Sequence, residues 1–143
     1  MQPVAVGIVM RNGRVLACQR KRTARYPLKW EFPGGKIEPE ESPWEALVRE
    51  LREELDIVAE GGTEFHRQKW TYPESSVDDK RDGTFSVIYY LVRTFSGEPD
   101  NRVFEQIRWV RPAELHRMDV LEGNREAIEL LVKHETSRAT GTQ

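Results

Sequence analysis

The sequence predicts a mixed α/β domain with a curved sheet and helices on both faces of that sheet. Apolar runs of the strand type precede and follow one strongly amphipathic helical segment, and a second helical pattern lies near the C-terminal end. The 143 residues suffice for one domain with a substantial core. We expect a single domain over residues 1–135 and a disordered tail over residues 136–143.

The first third of the chain reads as an antiparallel hairpin followed by a loop. Residues 4–10 and 15–20 are apolar runs of the strand type, and Asn12 and Gly13 between them form a common hairpin-turn pair. A basic, polar loop follows, and then a short extended piece at residues 30–32 that Pro33 ends.

The second half alternates strand patterns with turn signals. In chain order we expect a strand at 64–71 after Gly61 and Gly62, a polar loop at 73–83, a long strand at 85–95, a strand at 103–110, a helical turn at 112–115 and a helix at about 124–133.

The amphipathic helix has clear start signals. Ser42 is a favourable N-cap, Pro43 suits the first helical position, and Glu45 completes a capping box with Ser42. Its apolar face comprises Trp44, Leu47, Val48, Leu51 and Leu55. The helix is therefore expected to run to about Leu55.

Three carboxylates lie beside this apolar face. Glu50, Glu53 and Glu54 fall within an arc of about 100°, because residues three and four apart are neighbours on a helix. A Glu-rich flank is often only a solvated surface. Glu50 and Glu54 lie at the edge of the buried face, however, where like charges repel unless a cation lies among them. This arrangement favours phosphate-bond chemistry assisted by magnesium or manganese.

The spacing of this segment resembles the Nudix box. The matching positions are Gly35, Glu41, Arg49, Glu50, Leu51, Glu53, Glu54 and Ile57. One position departs from the pattern, since Asp56 stands where the box has glycine. Asp tolerates the left-handed conformation of a helix C-terminus better than most residues, so we expect a small loss of stability and no loss of chemistry.

The resemblance implies an α/β/α sandwich, a pyrophosphohydrolase activity and a set of metal ligands. Glu50, Glu53 and Glu54 carry over as ligands of Mg²⁺, with Mn²⁺ possible, and the carbonyl of Gly34 is a further candidate. Glu53 is our first choice for the group that orients or deprotonates the attacking water.

The resemblance also implies supporting roles. Arg49 is expected to form salt bridges inside the cluster and to aim the glutamates. Glu41 is expected to contact the glycine loop, residues Gly34 to Lys36, or a metal-bound water. Gly35 and Lys36 are expected to lie near the bound phosphates. A further acid is often present in such enzymes. Asp100 and Glu105 are the candidates, although the spacing from Glu105 to Trp109 is two residues short, Val103 takes the usual place, and Glu105 suits an exposed strand position equally well.

The string from Leu28 to Glu38 is similar to the MutT type of this family, which hydrolyses oxidised purine nucleotides such as 8-oxo-dGTP. Pyrimidine enzymes acting on CTP or modified dCTP share nearly the same string. By resemblance, Asn124 and Phe32 would contact the base, although Asn124 is equally suited to be a helix N-cap. Arg20 matches a phosphate-contacting position, and its alternative is a surface charge.

The expected reaction releases the monophosphate and pyrophosphate, with water attacking the β-phosphorus. Nucleoside diphosphate sugars are disfavoured as substrates, because the enzymes that act on them usually carry further motifs after the box and none is found here. A non-catalytic nucleotide sensor is the alternative of another class, but all box glutamates are present.

Composition excludes several other classes. The net charge of −2 gives no basic footprint for duplex nucleic acid. The single cysteine, Cys18, excludes an internal disulfide and fits a reducing compartment. We see no signal peptide and no transmembrane segment, and we therefore expect a cytoplasmic location and no obligate protein partner. His66, His116 and His134 lack the spacing of a zinc site.

Overall fold

The computed structural model describes residues 1–72 and 83–140, with side chains as far as residue 138. Most of the predicted loop at 73–83 and the last three residues of the predicted tail lie outside the described residues. The elements are strands β1 (Gln2–Arg11), β2 (Arg14–Gln19), β3 (Trp30–Glu31), β4 (Gly34–Lys36), β5 (Val58–Thr71), β6 (Thr84–Ser96) and β7 (Gln106–Val110), and helices α1 (Pro43–Leu55) and α2 (Arg125–Thr140). Two 3₁₀ helices, Pro112–Arg117 and Glu122–Asn124, precede α2.

The strands form one mixed sheet in which β1 is central. β1 pairs in parallel with β6 and antiparallel with β2 and β4, while β5 and β6 form a long antiparallel pair. The main path through the sheet is β3-β2-β1-β6-β5, and β7 pairs with β2. The predicted mixed α/β architecture is therefore confirmed.

The side chains of β1 alternate between two hydrophobic cores, one on each face of the sheet. Ala5 and Val9 belong to the core beneath α1, which includes Leu47, Leu51 and Leu55. Val6, Ile8 and Met10 belong to the core beneath α2, which includes Ala127, Ile128 and Leu131. This alternation follows from the two-residue period of a strand and gives the three-layered sandwich.

The predicted local signals are confirmed where the chain turns. Asn12 and Gly13 have positive φ angles of 52° and 76°, as a tight hairpin requires. Ser42 and Glu45 form the capping box at the start of α1. Asp56 ends this helix in the left-handed conformation at φ 55° and ψ 36°, and its N–H donates to the carbonyl of Arg52.

Three predicted boundaries were wrong. β5 begins at Val58 rather than at residue 64, because register shifts near Gly61 and Gly62 let the pairing continue through the glycines. β7 begins only at Gln106, since the Asn101 side chain bonds both the N–H and the carbonyl of Phe104 and holds a turn there.

The helix α2 continues to Thr140, so residues 136–140 are helical rather than part of a disordered tail. Glu135 helps to hold this last part, because it accepts from Arg138 on the same helix and from Arg93 on β6. No helix in the described ranges has the length and apolarity needed to cross a membrane.

Candidate active site

The glutamates of α1 take two different positions beside the sheet. Leu47, Leu51 and Leu55 of α1 are fully buried, which fixes the rotation of the helix. This rotation places Glu50 and Glu54 at the edge of the glycine strand β4. The Glu50 side chain is only 17% exposed, whereas that of Glu53 is 59% exposed. The structure therefore brings Glu50 and Glu54 together and leaves Glu53 at the solvent side.

Glu50 and Glu54 are neighbouring carboxyl groups on one side of α1. Burial raises the pKa of both groups, and the charge of Glu50 raises the pKa of Glu54 further. The N–H of Gly34 donates to Oε1 of Glu54 at 3.2 Å. The two carboxyl groups therefore disfavour each other's ionised form unless a cation lies between them.

Arg49 connects the glutamates to the loop before the helix. Its Nε and Nη2 atoms donate to the two oxygens of Glu41 at 2.6 and 2.9 Å. Its Nη1 atom donates to Glu50 at 3.2 Å and to Glu53 at 3.3 Å, and Nη2 also reaches the carbonyl of Lys36 at 3.1 Å. The pairing with Arg49, aided by the N–H of Glu38, lowers the pKa of Glu41 to about 2.

Two glycines allow β4 to approach both β1 and the carboxyl pair. Gly34 has a φ of +151°, and a Cβ there would lie 2.2 Å from the carbonyl oxygen of Ala5. A Cβ on Gly35 would lie 2.4 Å from Oε2 of Glu50. Side chains are therefore excluded where the strand meets the glutamates. Lys36 contributes its carbonyl to Arg49, and its side chain is exposed.

A cavity of about 360 Å³ begins at this strand and extends towards the start of α2. Glu54, Gly34 and Gly35 line one end. Asn124 and Gly123 line the other end, together with aromatic and apolar side chains that include Phe32, Trp70, Tyr72, Phe85 and Tyr89. One cavity thus joins carboxylates to a mostly aromatic chamber, which is the usual composition of a small-molecule site.

Asn124 is a buried polar residue in the wall of this chamber, with 7% of its surface exposed. Its Oδ1 accepts from the hydroxyl of Tyr89 at 2.7 Å, and Phe32 packs edge-on against the Tyr89 ring. Asn124 lies in the 3₁₀ turn before α2, and its side chain is bonded to Tyr89.

Arg20 also lies in the cavity wall, where it pairs with Glu31. Its Nη1 atom donates to Glu31 at 3.1 Å, and its Nε donates to the carbonyl of Arg25 at 2.7 Å. Burial raises the pKa of Glu31, and the charge of Arg20 opposes this rise. The Arg20 side chain is therefore fixed by Glu31 and by the carbonyl of Arg25, rather than being a free surface charge.

Sequence reasoning missed several residues of this cavity, among them Glu31, Gln68, Tyr72 and Tyr89. Glu31 could have been suspected from its place beside Phe32, just before Gly34 and Gly35. Gln68 and Tyr89 lie on strands, and Tyr72 directly follows one. Strand pairing decides which of these side chains face the cavity, and no local pattern reveals that choice.

The candidate additional acids lie elsewhere. Glu105 precedes β7, and its carboxylate accepts from the N–H of Arg22 at 3.4 Å. Asp100 lies at the C-terminal end of α1, where its N–H donates to the carbonyl of Leu55. Its carboxylate accepts from Nε of Arg102 at 3.5 Å. Neither residue is part of the cavity wall.

The residues present fit a hard divalent cation. Their donors are carboxylate and backbone oxygens, which Mg²⁺ and Mn²⁺ prefer, and a cation would relieve the repulsion between Glu50 and Glu54. Within residues 1–72 and 83–140, no three His, Cys, Asp or Glu side chains are already arranged to hold a metal ion. The third carboxylate, Glu53, is instead bonded to Arg49.

Comparison with known proteins agrees with this geometry. The NUDIX domain model matches residues 1–131. The 8-oxo-dGTP diphosphatase of Haemophilus influenzae is 35% identical over 117 residues, which cover 81% of this chain and 78% of that protein. The CTP pyrophosphohydrolase of Escherichia coli is 50% identical over 62 residues, covering 43% of this chain and 46% of that protein.

A solved structure shares the fold. The MutT NUDIX hydrolase from Burkholderia pseudomallei superposes with a TM-score of 0.79 at 26% identity, covering 90% of this chain and 96% of that chain. The family generally uses a divalent metal. The box glutamates, the matching fold and these relatives show that the chain belongs to the NUDIX family and is a pyrophosphohydrolase.

Proposed function

We propose that this enzyme hydrolyses a nucleoside triphosphate to the monophosphate and pyrophosphate, with Mg²⁺ as its metal and an oxidised purine nucleotide such as 8-oxo-dGTP as its substrate. The observation that carries the proposal is the single cavity that runs from Glu54 and Gly34 to the buried amide of Asn124. Phosphates and base would occupy the two ends of that cavity. The Haemophilus influenzae relative supports the choice of base.

Glu50, Glu53 and Glu54 would hold the metal, with the carbonyl of Gly34 as a further ligand. When bound, Mg²⁺ would supply positive charge to the polyphosphate and lower the pKa of a coordinated water. Mn²⁺ suits the same oxygen donors. Glu50 and Glu54 would have to be ionised to serve as ligands.

Glu53 orients or deprotonates the water that attacks the β-phosphorus. Its exposed position gives it access to water, and its bond to Arg49 holds it near the other glutamates. Arg49 acts by position, because its bonds to Glu41 and to the Lys36 carbonyl fix the guanidinium against the loop.

Substrate binding uses both ends of the cavity. Arg20, held by Glu31, presents positive charge to the phosphates, and Gly35 and Lys36 lie beside them. Phe32 forms an apolar wall for the base, and Asn124 supplies the polar group that reads its edge. The free, buried thiol of Cys18 supports a reducing compartment such as the cytoplasm.

CTP or a modified dCTP is the second candidate substrate. The 50% identity to the Escherichia coli CTP pyrophosphohydrolase over 62 residues favours it. In this case the chemistry at the glutamates stays the same and only the partner of Asn124 changes.

The test is a panel of nucleotides hydrolysed by the purified protein with Mg²⁺. The panel compares 8-oxo-dGTP, dGTP, CTP, 5-methyl-dCTP and ADP-ribose, with pyrophosphate and phosphate measured separately. We expect 8-oxo-dGTP to be preferred and pyrophosphate to be released. Preference for the cytosine nucleotides would establish the second candidate, and release of phosphate alone would contradict the reaction. Absence of turnover across the panel would contradict both candidate substrates.

A further inference from the structure

The hydroxyl of Tyr89 has two possible acceptors at the end of the cavity, and it has one proton to donate. Oδ1 of Asn124 lies 2.7 Å away, and the carbonyl oxygen of Gly123 lies 3.4 Å away. That carbonyl already accepts from Nε2 of Gln68 at 2.6 Å. The Tyr89 proton therefore goes to Asn124, since the bond is shorter and its acceptor is otherwise unserved by the described residues.

This bond fixes the orientation of the Asn124 amide. With Oδ1 held by Tyr89, the Nδ2 group must point elsewhere, because the oxygen and the nitrogen of the planar amide lie on opposite sides of the Cβ–Cγ bond. Among the described residues, every fully buried polar side-chain atom has a partner, and no protein acceptor is recorded for Nδ2. Nδ2 is therefore accessible from the cavity that Asn124 lines.

The backbone around Asn124 is also held from both sides. The N–H of Gly123 donates to the hydroxyl of Tyr72 at 2.8 Å, while Gln68 donates to its carbonyl. Tyr89 itself is 1% exposed in the middle of β6, packed edge-on against Phe32. Neither the donor hydroxyl nor the peptide that carries Asn124 is free to turn.

We propose that Tyr89 is a positioning residue that decides which base edge the cavity accepts. It holds the Asn124 amide so that an N–H donor faces the base. A base with a carbonyl oxygen at that edge is then accepted, and a base with an amino group in the same place leaves two donors facing each other. The carbonyl is the 6-oxygen of a purine or the 4-oxygen of a pyrimidine. This inference rests on the proposed nucleotide hydrolysis and refines its substrate class.

The test compares nucleotides that differ in this group and in the hydrogen on the adjacent ring nitrogen. dGTP is paired with the triphosphate of 2,6-diaminopurine deoxyriboside, which has an amino group in place of the 6-oxygen, and dUTP is paired with dCTP. The wild-type enzyme should favour the oxo member of each pair by about tenfold or more in kcat/KM, the cost of an unpaired buried donor. The same comparison is made for binding of dGMP and the diaminopurine monophosphate by calorimetry.

Tyr89→Phe removes the hydroxyl and keeps the ring. In this variant the Asn124 amide can rotate by half a turn. The preference for the nucleotide with the carbonyl oxygen should therefore fall about fivefold or more in kcat/KM. The nucleotide with the amino group should gain in kcat/KM while the other loses. Simple structural damage would lower both members together. Tyr90→Phe is the matched control, because Tyr90 packs against Trp44 on the other face of β6 and should leave the ratio unchanged.

The outcomes separate this inference from the proposed function. If pyrimidines are the better substrates, the oxidised-purine assignment fails, and Tyr89 is judged on the dUTP and dCTP ratio. If no triphosphate is hydrolysed, the proposed function fails, and Tyr89 is judged on monophosphate binding. Equal ratios in wild type and Tyr89→Phe, or an equal loss for both members of a pair, would overturn the role of Tyr89.

Discussion

Arg49 shows how much a single side chain of the box organises. It contacts three glutamates and one loop carbonyl, and its two bonds to Glu41 use the planar fork of a guanidinium. The sequence allowed this role to be predicted, because all the partners lie within one short segment and helix geometry brings them together. The Arg20–Glu31 pair could not be predicted in the same way, since it depends on the pairing of β2 with β3.

The fork itself can be tested with Arg49→Lys. Lysine keeps the charge but cannot form the paired bonds to Glu41 while also reaching Glu50 and Glu53. We expect kcat to fall about 10- to 100-fold with the fold retained, which is the usual cost of losing a ligand-orienting partner. Steady-state kinetics and circular dichroism would measure the two quantities.

Arg52→Lys is the matched control for this change. Arg52 lies on the same helix, is 65% exposed and pairs with Asp56 at 3.6 Å. We expect it to leave kcat unchanged. An Arg49→Lys enzyme as active as the Arg52→Lys enzyme would show that the guanidinium does not position the glutamates.

At the scale of helices and strands, short sequence motifs predicted the features that depend only on neighbouring residues. The capping box, the left-handed Asp56 and the Asn12–Gly13 hairpin were all predictable, since each depends on neighbours in the chain. The starts of β5 and β7 were not. The first depends on β-bulges that form only against β6, and the second on the Asn101 side chain closing a turn.

The 3₁₀ turn before α2 should not tolerate a larger residue at Gly123. A Cβ there would lie 2.3 Å from the hydroxyl oxygen of Tyr72 and 3.0 Å from the Trp70 ring. Gly123→Ala should therefore displace the turn that carries Asn124, at a cost of about 1–3 kcal/mol. We expect KM to rise about tenfold while the metal-dependent stabilisation stays normal.

Gly61→Ala serves as the control for this glycine. A Cβ at Gly61 would meet only Thr94, at an ordinary 3.8 Å, so KM should stay at the wild-type value. An unchanged KM in Gly123→Ala as well would mean that the turn before α2 does not contribute to nucleotide binding.

For the whole molecule, the site depends on bringing α1 and the start of α2 to the two ends of one cavity. Glu54 comes from the helix on one face of the sheet, and Asn124 precedes the helix on the other. The sequence predicted each end separately. It could not show that Gln68, Tyr72 and Tyr89 would connect them, because their orientation follows from the register of β5 on β6.

The free energy of unfolding should depend on pH and on Mg²⁺ through the protonation of the glutamates at the metal site. Burial raises the pKa of Glu54, so near neutral pH the folded, metal-free chain keeps a proton that the unfolded chain has lost. Its stability should therefore fall as pH rises above the ordinary value of 4.5. Mg²⁺ binds the ionised form, so it should raise the melting temperature more at about pH 8 than at about pH 6.

Thermal unfolding with Mg²⁺ and with EDTA would measure this linkage. Glu54→Gln should lose both the pH dependence and most of the Mg²⁺ effect, while Glu60→Gln, an exposed change on β5, should keep them. A Glu54→Gln protein with the full Mg²⁺ shift would place the metal elsewhere.

The central claim is that one cavity combines phosphate chemistry at the glutamates with base selection at Asn124. The most direct test is kcat/KM of Glu53→Gln and Asn124→Ala on both dGTP and the triphosphate of 2,6-diaminopurine deoxyriboside. We expect Glu53→Gln to lower the two values by the same large factor. Asn124→Ala should mainly lower the dGTP value and bring the two nucleotides closer together. An equal loss for both nucleotides in Asn124→Ala would contradict the account.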